Sequence, residues 1–264
     1  MMESELERFS VSRLTKEGRG SIEEVVAREF PVTLILNEQE LVTLLCSPTD
    51  LKYLAVGFLF SEGLLKSKKD IEKITVDDQR GVIRVITKGD HGLNEPLFKR
   101  IITSGCGRGA SFYSAADIQG QLKIESELVI KPLEVFGLVR DFQHRSQIYR
   151  TTGGVHSAAL CDNKSILLFN EDIGRHNAID KIFGECIVRE IITNDRIIIT
   201  SGRISSEILL KVAKRNIPIL ISKSAPTNLA VKLANELGIT LIGFVRGERM
   251  NVYTHGGRIL NDGK

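Results

Sequence analysis

The residue best suited to chemistry is Cys106, set in the run Ser104-Gly105-Cys106-Gly107-Arg108-Gly109. Three glycines around one thiol leave the sulfur exposed and let the backbone come close to a partner. Arg108 favours the thiolate, the form in which cysteine is a nucleophile. The plainer reading of the same run is a loop that happens to hold a small residue. Cys46, Cys161 and Cys186 fall instead in apolar strand or helix patterns, where free cysteine packs in or near the core. The four are far apart, with no zinc-ligand spacing, and cytosolic cysteines stay reduced, so neither a metal set nor a disulfide framework is expected.

Four further runs gather polar groups where a strand should pass into a helix or end. The first is Glu171-Asp172-Ile173-Gly174-Arg175-His176-Asn177-Ala178-Ile179-Asp180-Lys181. An N-cap cluster, with Asp172 or Asn177 capping, accounts for two of these residues but not for the whole run. The second is Thr200-Ser201-Gly202-Arg203-Ile204-Ser205-Ser206-Glu207, whose Ser-Gly backbone and hydroxyls suit phosphate, with Arg203 adding a charged fork. Ser205 and Glu207 also fit simple capping. The third, Ser224-Ala225-Pro226-Thr227, opens another helix, and the fourth is Phe244-Val245-Arg246-Gly247-Glu248-Arg249. All four should lie at one end of a single sheet, which points to a ligand bearing nucleotide or phosphate groups. His156, after the glycine turn Gly153-Gly154, reads as structural.

The elements that must position these runs follow from hydrophobic periodicity. Residues up to about 20 are polar and read as frayed. Strands are expected at 25–36 and 41–46, a helix at 51–65, and strands at 71–76 and 82–87, a compact ββαββ unit. Past a polar stretch and the apolar residues 101–103 comes the Cys106 loop, then a helix over 132–149 with Pro132 in its first turn. Two strands (157–160, 166–170) then lead into helices at 176–190, 205–215 and 225–237, alternating with strands at 196–200, 218–222 and 240–245. The short, wholly apolar late strands fit a sheet covered on both faces, so the fold class is α/β with three layers.

Composition narrows the function. The 264 residues are 42% hydrophobic and 26% charged, enough for a real core. Lys and Arg number 36 against 33 Asp and Glu, and there is no Trp, so a general nucleic-acid binder with a basic stripe and stacking aromatics is not expected. The Glu-rich first nine residues do not read as a secretory signal, and the longest apolar stretch, 54–60, is too short to span a bilayer, so a cytoplasmic protein without membrane contact is expected.

The runs TTGGVHSAAL, NEDIGRHNAIDKIFG, TSGRISSEILLK, SKSAPTNLAVKLA and GITLIGFVRGERMNVYT, five motifs in order, resemble the formate dehydrogenase accessory sulfurtransferase family (FdhD/NarQ type). The resemblance runs from about residue 25 onward. It implies a three-layer cytidine-deaminase-like C-terminal domain (126–264) that binds the cofactor, and a smaller α+β N-terminal domain (1–125) that ends in the Cys106 loop. It also implies a persulfide carrier, which takes sulfur from a cysteine desulfurase and passes it to the molybdenum or tungsten bis(molybdopterin guanine dinucleotide) cofactor before insertion into formate dehydrogenase. The persulfide falls on Cys106. The cofactor-binding stretch falls on Phe244, Val245, Arg246, Gly247, Glu248 and Arg249, with Ser201, Gly202, Arg203, Arg175 and His176 beside it. Whether two chains pair is left open.

A zinc deaminase needs His-x-Glu and Pro-Cys-x-x-Cys. The matching places here read His176-Asn177-Ala178 and Ser201-Gly202-Arg203-Ile204, so neither zinc nor deamination is expected. Many relatives carry Cys-x-x-Cys in the loop, whereas this chain has Gly109 at the second position, which leaves a one-cysteine carrier without a relay thiol. The alternatives are a cofactor-binding chaperone that moves no sulfur, and a nucleotide-binding regulator using the same loops.

Overall fold

The structure is a computed structural model that describes residues 5–88, 100–102 and 123–260. The Cys106 loop lies outside the described residues. The chain opens with a two-stranded antiparallel ribbon, β1 (Leu6–Thr15) and β2 (Gly18–Ala27), joined at Lys16-Glu17. The expectation of a frayed start is thus corrected. Polar composition hid the ribbon because its two strands pair only with each other, with ion pairs Arg8–Glu23 and Arg13–Glu24 linking them.

Next come β3 (Phe30–Leu36), β4 (Gln39–Cys46), helix α1 (Leu51–Ser61), β5 (Ile71–Asp77), β6 (Val82–Thr87) and β7 (Arg100–Ile102). The single strand expected over 25–36 is two, β2 and β3, broken at Arg28-Glu29. Asn37 and Glu38, both with positive φ, make the tight β3–β4 turn. These strands form a five-stranded sheet in the order β5-β6-β3-β4-β7. Nearly every side chain of α1 is buried because the helix is covered on two sides. One side packs on this sheet, in a cluster with Leu34, Leu44 and Val85.

The second half contains α2 (Pro132–Arg145), α3 (Gln147–Thr152), β8 (His156–Cys161), β9 (Ile166–Asp172), α4 (Arg175–Val188), β10 (Ile197–Thr200), α5 (Ser206–Lys214), β11 (Ile219–Ser222), α6 (Asn228–Leu237), β12 (Thr240–Arg246) and β13 (Arg249–Thr254). Its six-stranded sheet runs β13-β12-β11-β10-β8-β9, with β10, β11 and β12 parallel and the outer pairings antiparallel. One face of the sheet packs on α4, α5 and α6 through residues such as Ile179, Leu209 and Leu233. The other face is covered by α2 through Val135, Leu138, Val139 and Phe142. β10 and β11 are buried at every position, as their unbroken apolar sequences require.

Two differences from the expected elements matter for the site. The helix expected over 132–149 is two helices, broken at Ser146, whose hydroxyl donates to the Phe142 carbonyl and meets Ser157 Oγ at 2.9 Å. The last strand is followed by a return strand, β13, so the 244–249 segment is a hairpin end rather than a loose loop. Between the two sheets, α1 crosses α4 at Gly57 and Gly184. A Cβ on Gly57 would lie 1.8 Å from the Asp180 carbonyl, and one on Gly184 would lie 1.9 Å from that of Tyr53. Only glycine permits that approach.

Candidate functional site: a basic cleft at the strand ends

The first polar run proves to be a frame. Asp172 and Lys181 form a fully buried ion pair at 2.8 Å. The Asp172 carboxylate also accepts from the Ser47 and Gly174 backbone N–H groups and from Asn177 Nδ2, at 3.0, 2.9 and 2.9 Å. Lys181 Nζ donates further to the carbonyls of Ser47 and Glu171. These bonds tie the end of β9 to the segment after β4, about 125 residues away in sequence. A second buried pair, Asp180–Lys211, is joined by Ser61 Oγ and couples α4, α5 and the end of α1. Buried charges persist when they are paired and hydrogen-bonded, and Lys181 has three acceptors here, Asp172 and the Ser47 and Glu171 carbonyls.

Above this frame the strand ends open into a cleft of about 740 Å³. It is lined by His156, Ser157 and Ser201, by Lys223, Ser224, Arg246 and Gly247 at the ends of β11 and β12, and by Arg140, His144, Tyr149 and Arg150 of α2 and α3. Among the described residues four cations line it and no carboxylate does. Burial and the neighbouring Arg246 both lower the pKa of Lys223. Such a field favours an anion.

Ser201 Oγ accepts from the Ser157 N–H at 3.0 Å and lies 3.4 Å from His156 Nδ1. Burial, followed by the Arg175 charge, lowers the His156 pKa and keeps the ring neutral. Gly202 is a close-packing glycine: a Cβ there would meet Arg175 Cβ at 2.9 Å and His156 Nδ1 at 3.5 Å. Ser201, Gly202, Arg175 and His156 are therefore brought together. His156 reaches the cleft, although its sequence context read as structural.

Phe244 sits in a bulge of β12 with φ 53°, a left-handed conformation that is an outlier for a bulky residue. Its ring is partly exposed, and the Arg246 guanidinium lies 5.8 Å from its centroid. Arg246 and Arg249 face one another across the tight turn Gly247-Glu248. Val245 points into the core at 1% exposure, so only its backbone is available to a ligand. Arg203 is exposed on the loop after β10. His176 is held away from solvent, 3.4 Å from Glu207, and its pKa falls to about 3, first through burial and then through Lys211 and Arg175. Ser205 and Thr227 accept from Ile208 N and Ala230 N, the capping role open to them from sequence. Among the described residues, no group of three His, Cys, Asp or Glu side chains is placed to hold a metal ion.

The sequence motifs did not include Arg140, His144, Tyr149 or Arg150, and Lys223 lies within the run SKSAPTNLAVKLA without having been singled out. The one available sign was that Arg140, Gln143 and His144 recur at helical spacing on a polar helix face.

Of the four cysteines, Cys46, Cys161 and Cys186 are buried and unbonded. Burial raises their thiols to about 12, 12 and 11. A thiol so raised is inert near neutral pH.

A family model, the FdhD/NarQ family, matches residues 27–260, the cleft, its frame and both sheets included. The chain belongs to the FdhD/NarQ family. It is 46% identical over 239 residues to the sulfur carrier protein FdhD of Bacillus subtilis (strain 168), covering 90% of this chain and 91% of that protein. It is 42% identical over 240 residues to the protein of the same name from Staphylococcus aureus (strain bovine RF122 / ET3-1), covering 88% of each. Its fold matches the crystal structure of a candidate formate dehydrogenase accessory protein from Desulfotalea psychrophila, with a TM-score of 0.81 and 28% identity over 97% of this chain and 99% of that one. Among the described residues, no helix is long and apolar enough to cross a membrane.

Proposed function

We propose that this chain is a sulfur carrier for formate dehydrogenase, with Cys106 as the carrying residue. The Cys106 thiolate attacks the terminal sulfur of a persulfide on a cysteine desulfurase. A Cys106 persulfide forms, and the donor's thiolate leaves. The terminal sulfur then passes to the molybdenum of a bis(molybdopterin guanine dinucleotide), bound as substrate, before that cofactor enters the dehydrogenase. The S–S bond breaks, Cys106 leaves as thiolate, and the metal centre in its reduced state supplies the two electrons that convert sulfane sulfur to sulfide. The work takes place in the cytoplasm, where thiols stay reduced.

The observation that carries this reading is the basic cleft, with no carboxylate among its described lining residues, in a chain whose relatives are named sulfur carrier proteins. Its residues fit the substrate's diphosphate groups: Arg246 and Lys223 supply charge, and Ser201, Ser224 and Gly247 supply hydroxyl and backbone donors. The exposed Phe244 ring, with Arg246 over it, offers an apolar face for guanine. Cys106 is favoured further because the other three thiols are buried and raised. The β-β-α-β-α-β-α-β order of residues 156–246 supports a cytidine-deaminase-like domain over 126–264, with a smaller α+β domain over 1–125.

The deciding experiment incubates the protein with a cysteine desulfurase and cysteine, then maps the added sulfur by mass spectrometry. Sulfur is expected on the Cys106 peptide alone, and Cys106→Ser should neither load nor restore formate dehydrogenase. Persulfide on Cys161 in that variant, with maturation intact, would place the carrier elsewhere. Full maturation by Cys106→Ser without loading would favour the chaperone reading. In a separate titration, Arg246→Ala should weaken guanine diphosphate binding by about 1–3 kcal/mol.

A further inference from the structure

The motifs that identify the family supply only part of the cleft. The part they leave out is the wall formed by α2 and α3, with Arg140 and His144 on the first helix and Tyr149 and Arg150 on the second. This wall is anchored from below. Buried Ser146 breaks the helix and meets Ser157 Oγ at 2.9 Å, and Ser157 Oγ reaches Glu171 Oε1 at 3.3 Å. The Glu171 carboxylate accepts from the Ile148 and Tyr149 N–H groups, at 3.2 and 3.3 Å, which fixes the first turn of α3 against β9. The helix break therefore turns α3 so that Tyr149 and Arg150 front the cleft.

Among the described residues the charges on this wall are not used up by ion pairing. Arg140 approaches one carboxylate, that of its neighbour Asp141, at 4.0 Å. Among the described residues Arg150 is in no ion pair. Lys223, just after β11, and Arg246, at the end of β12, line the same cleft. The volume, about 740 Å³, is in the upper part of the range for small-molecule pockets and exceeds what one phosphate group fills. Cations from two separate parts of the fold, the α2–α3 helices and the β11 and β12 ends, with no carboxylate among the described lining residues, fit a ligand that carries negative charge at two places.

We infer that the α2–α3 wall is a second anion subsite, in which Arg140 and Arg150 hold a phosphate or diphosphate group separate from the one held by Arg246 at the strand ends. This rests on the reading of the cleft as a guanine-nucleotide site and deepens it. The strand-end loops take one phosphate-bearing arm of the ligand, and the helical wall takes another. A mononucleotide leaves the wall vacant.

Calorimetry with GDP and inorganic pyrophosphate tests this. Pyrophosphate should bind to protein already saturated with GDP, at one equivalent per chain. In the Arg140→Ala/Arg150→Ala double variant that second event should weaken at least about tenfold, the loss of a charge-assisted hydrogen bond, with GDP affinity changed less than about twofold. Both residues are exposed, so melting should not change. Arg80→Ala, on an exposed turn of the other sheet, is the control for non-specific charge and should leave both events intact. Three outcomes overturn the inference: no pyrophosphate binding beside GDP, pyrophosphate binding that the double variant retains, or equal loss of GDP and pyrophosphate in that variant. If GDP fails to bind while pyrophosphate binds through Arg140 and Arg150, the guanine reading falls and the subsite stands.

Discussion

Lys181→Met separates frame from site in the most polar of the family motifs. The change replaces a buried ammonium with an apolar side chain of similar length. It leaves the Asp172 carboxylate at 0% exposure with three donors, Ser47 N, Gly174 N and Asn177 Nδ2. It also removes the donor shared by the Ser47 and Glu171 carbonyls. Removing one partner of a buried pair costs about 3–5 kcal/mol, because the other charge stays buried and uncompensated. At roughly 2–4 °C per kcal/mol for a chain of this size, the melting temperature should fall by about 6–20 °C. Asp172→Asn should also destabilise. The double variant should lose less than the sum of the singles by about 0.5–3 kcal/mol, since neither charge is then stranded. Urea unfolding of all four proteins gives the cycle. If Lys181→Met unfolds with wild-type stability yet no longer binds guanine nucleotide, the pair belongs to the ligand site and the reasoning is wrong.

Four other outcomes are expected. Gly57→Ala or Gly184→Ala should cost about 3 kcal/mol or more, the upper end of overpacking, because the new methyl would overlap a backbone carbonyl. Gly137→Ala, with open space around it in α2, should stabilise by about 0.5–1 kcal/mol in the same denaturation assay. His176 has a folded pKa near 3, below its unfolded value, so the unfolded chain takes up the proton first. Its contribution is intact above pH 6.5 and shrinks as pH falls, by about 2 kcal/mol between pH 6.5 and 5. Glu62 and Glu171, raised by burial, act with the opposite sign, so the comparison is between wild type and His176→Gln, whose acid slope should be shallower. Elemental analysis of the purified protein should find no stoichiometric zinc, since the places matching a deaminase's zinc motifs carry Ala178 and Ser201-Gly202-Arg203-Ile204. One zinc per chain would overturn that.

Periodicity was a good guide wherever burial follows a local pattern. The apolar runs of β10 and β11 and the alternation from β8 to β12 were legible because each reports which faces of its own element are covered. The glycine- and arginine-bearing junctions were legible too, since Ser201, Arg246 and Gly247 reach the cleft directly from strand ends. Partnership was not. Asp172, Asn177, Asp180 and Lys181 look like a ligand-binding run until the fold brings Ser47, Leu45, Ser61 and Lys211 against them. A charged residue pays for burial through partners distant in sequence, and no local pattern names those partners. The ribbon β1–β2 was hidden for a related reason: its stabilising pairs lie across strands, so its polar composition resembles a loose tail. The same applies to Arg140 and Arg150. On the sequence Arg140 falls on the polar face of the expected 132–149 helix and Arg150 just past its end, and only the break at Ser146 and its bond to Ser157 make the two part of one wall of the cleft.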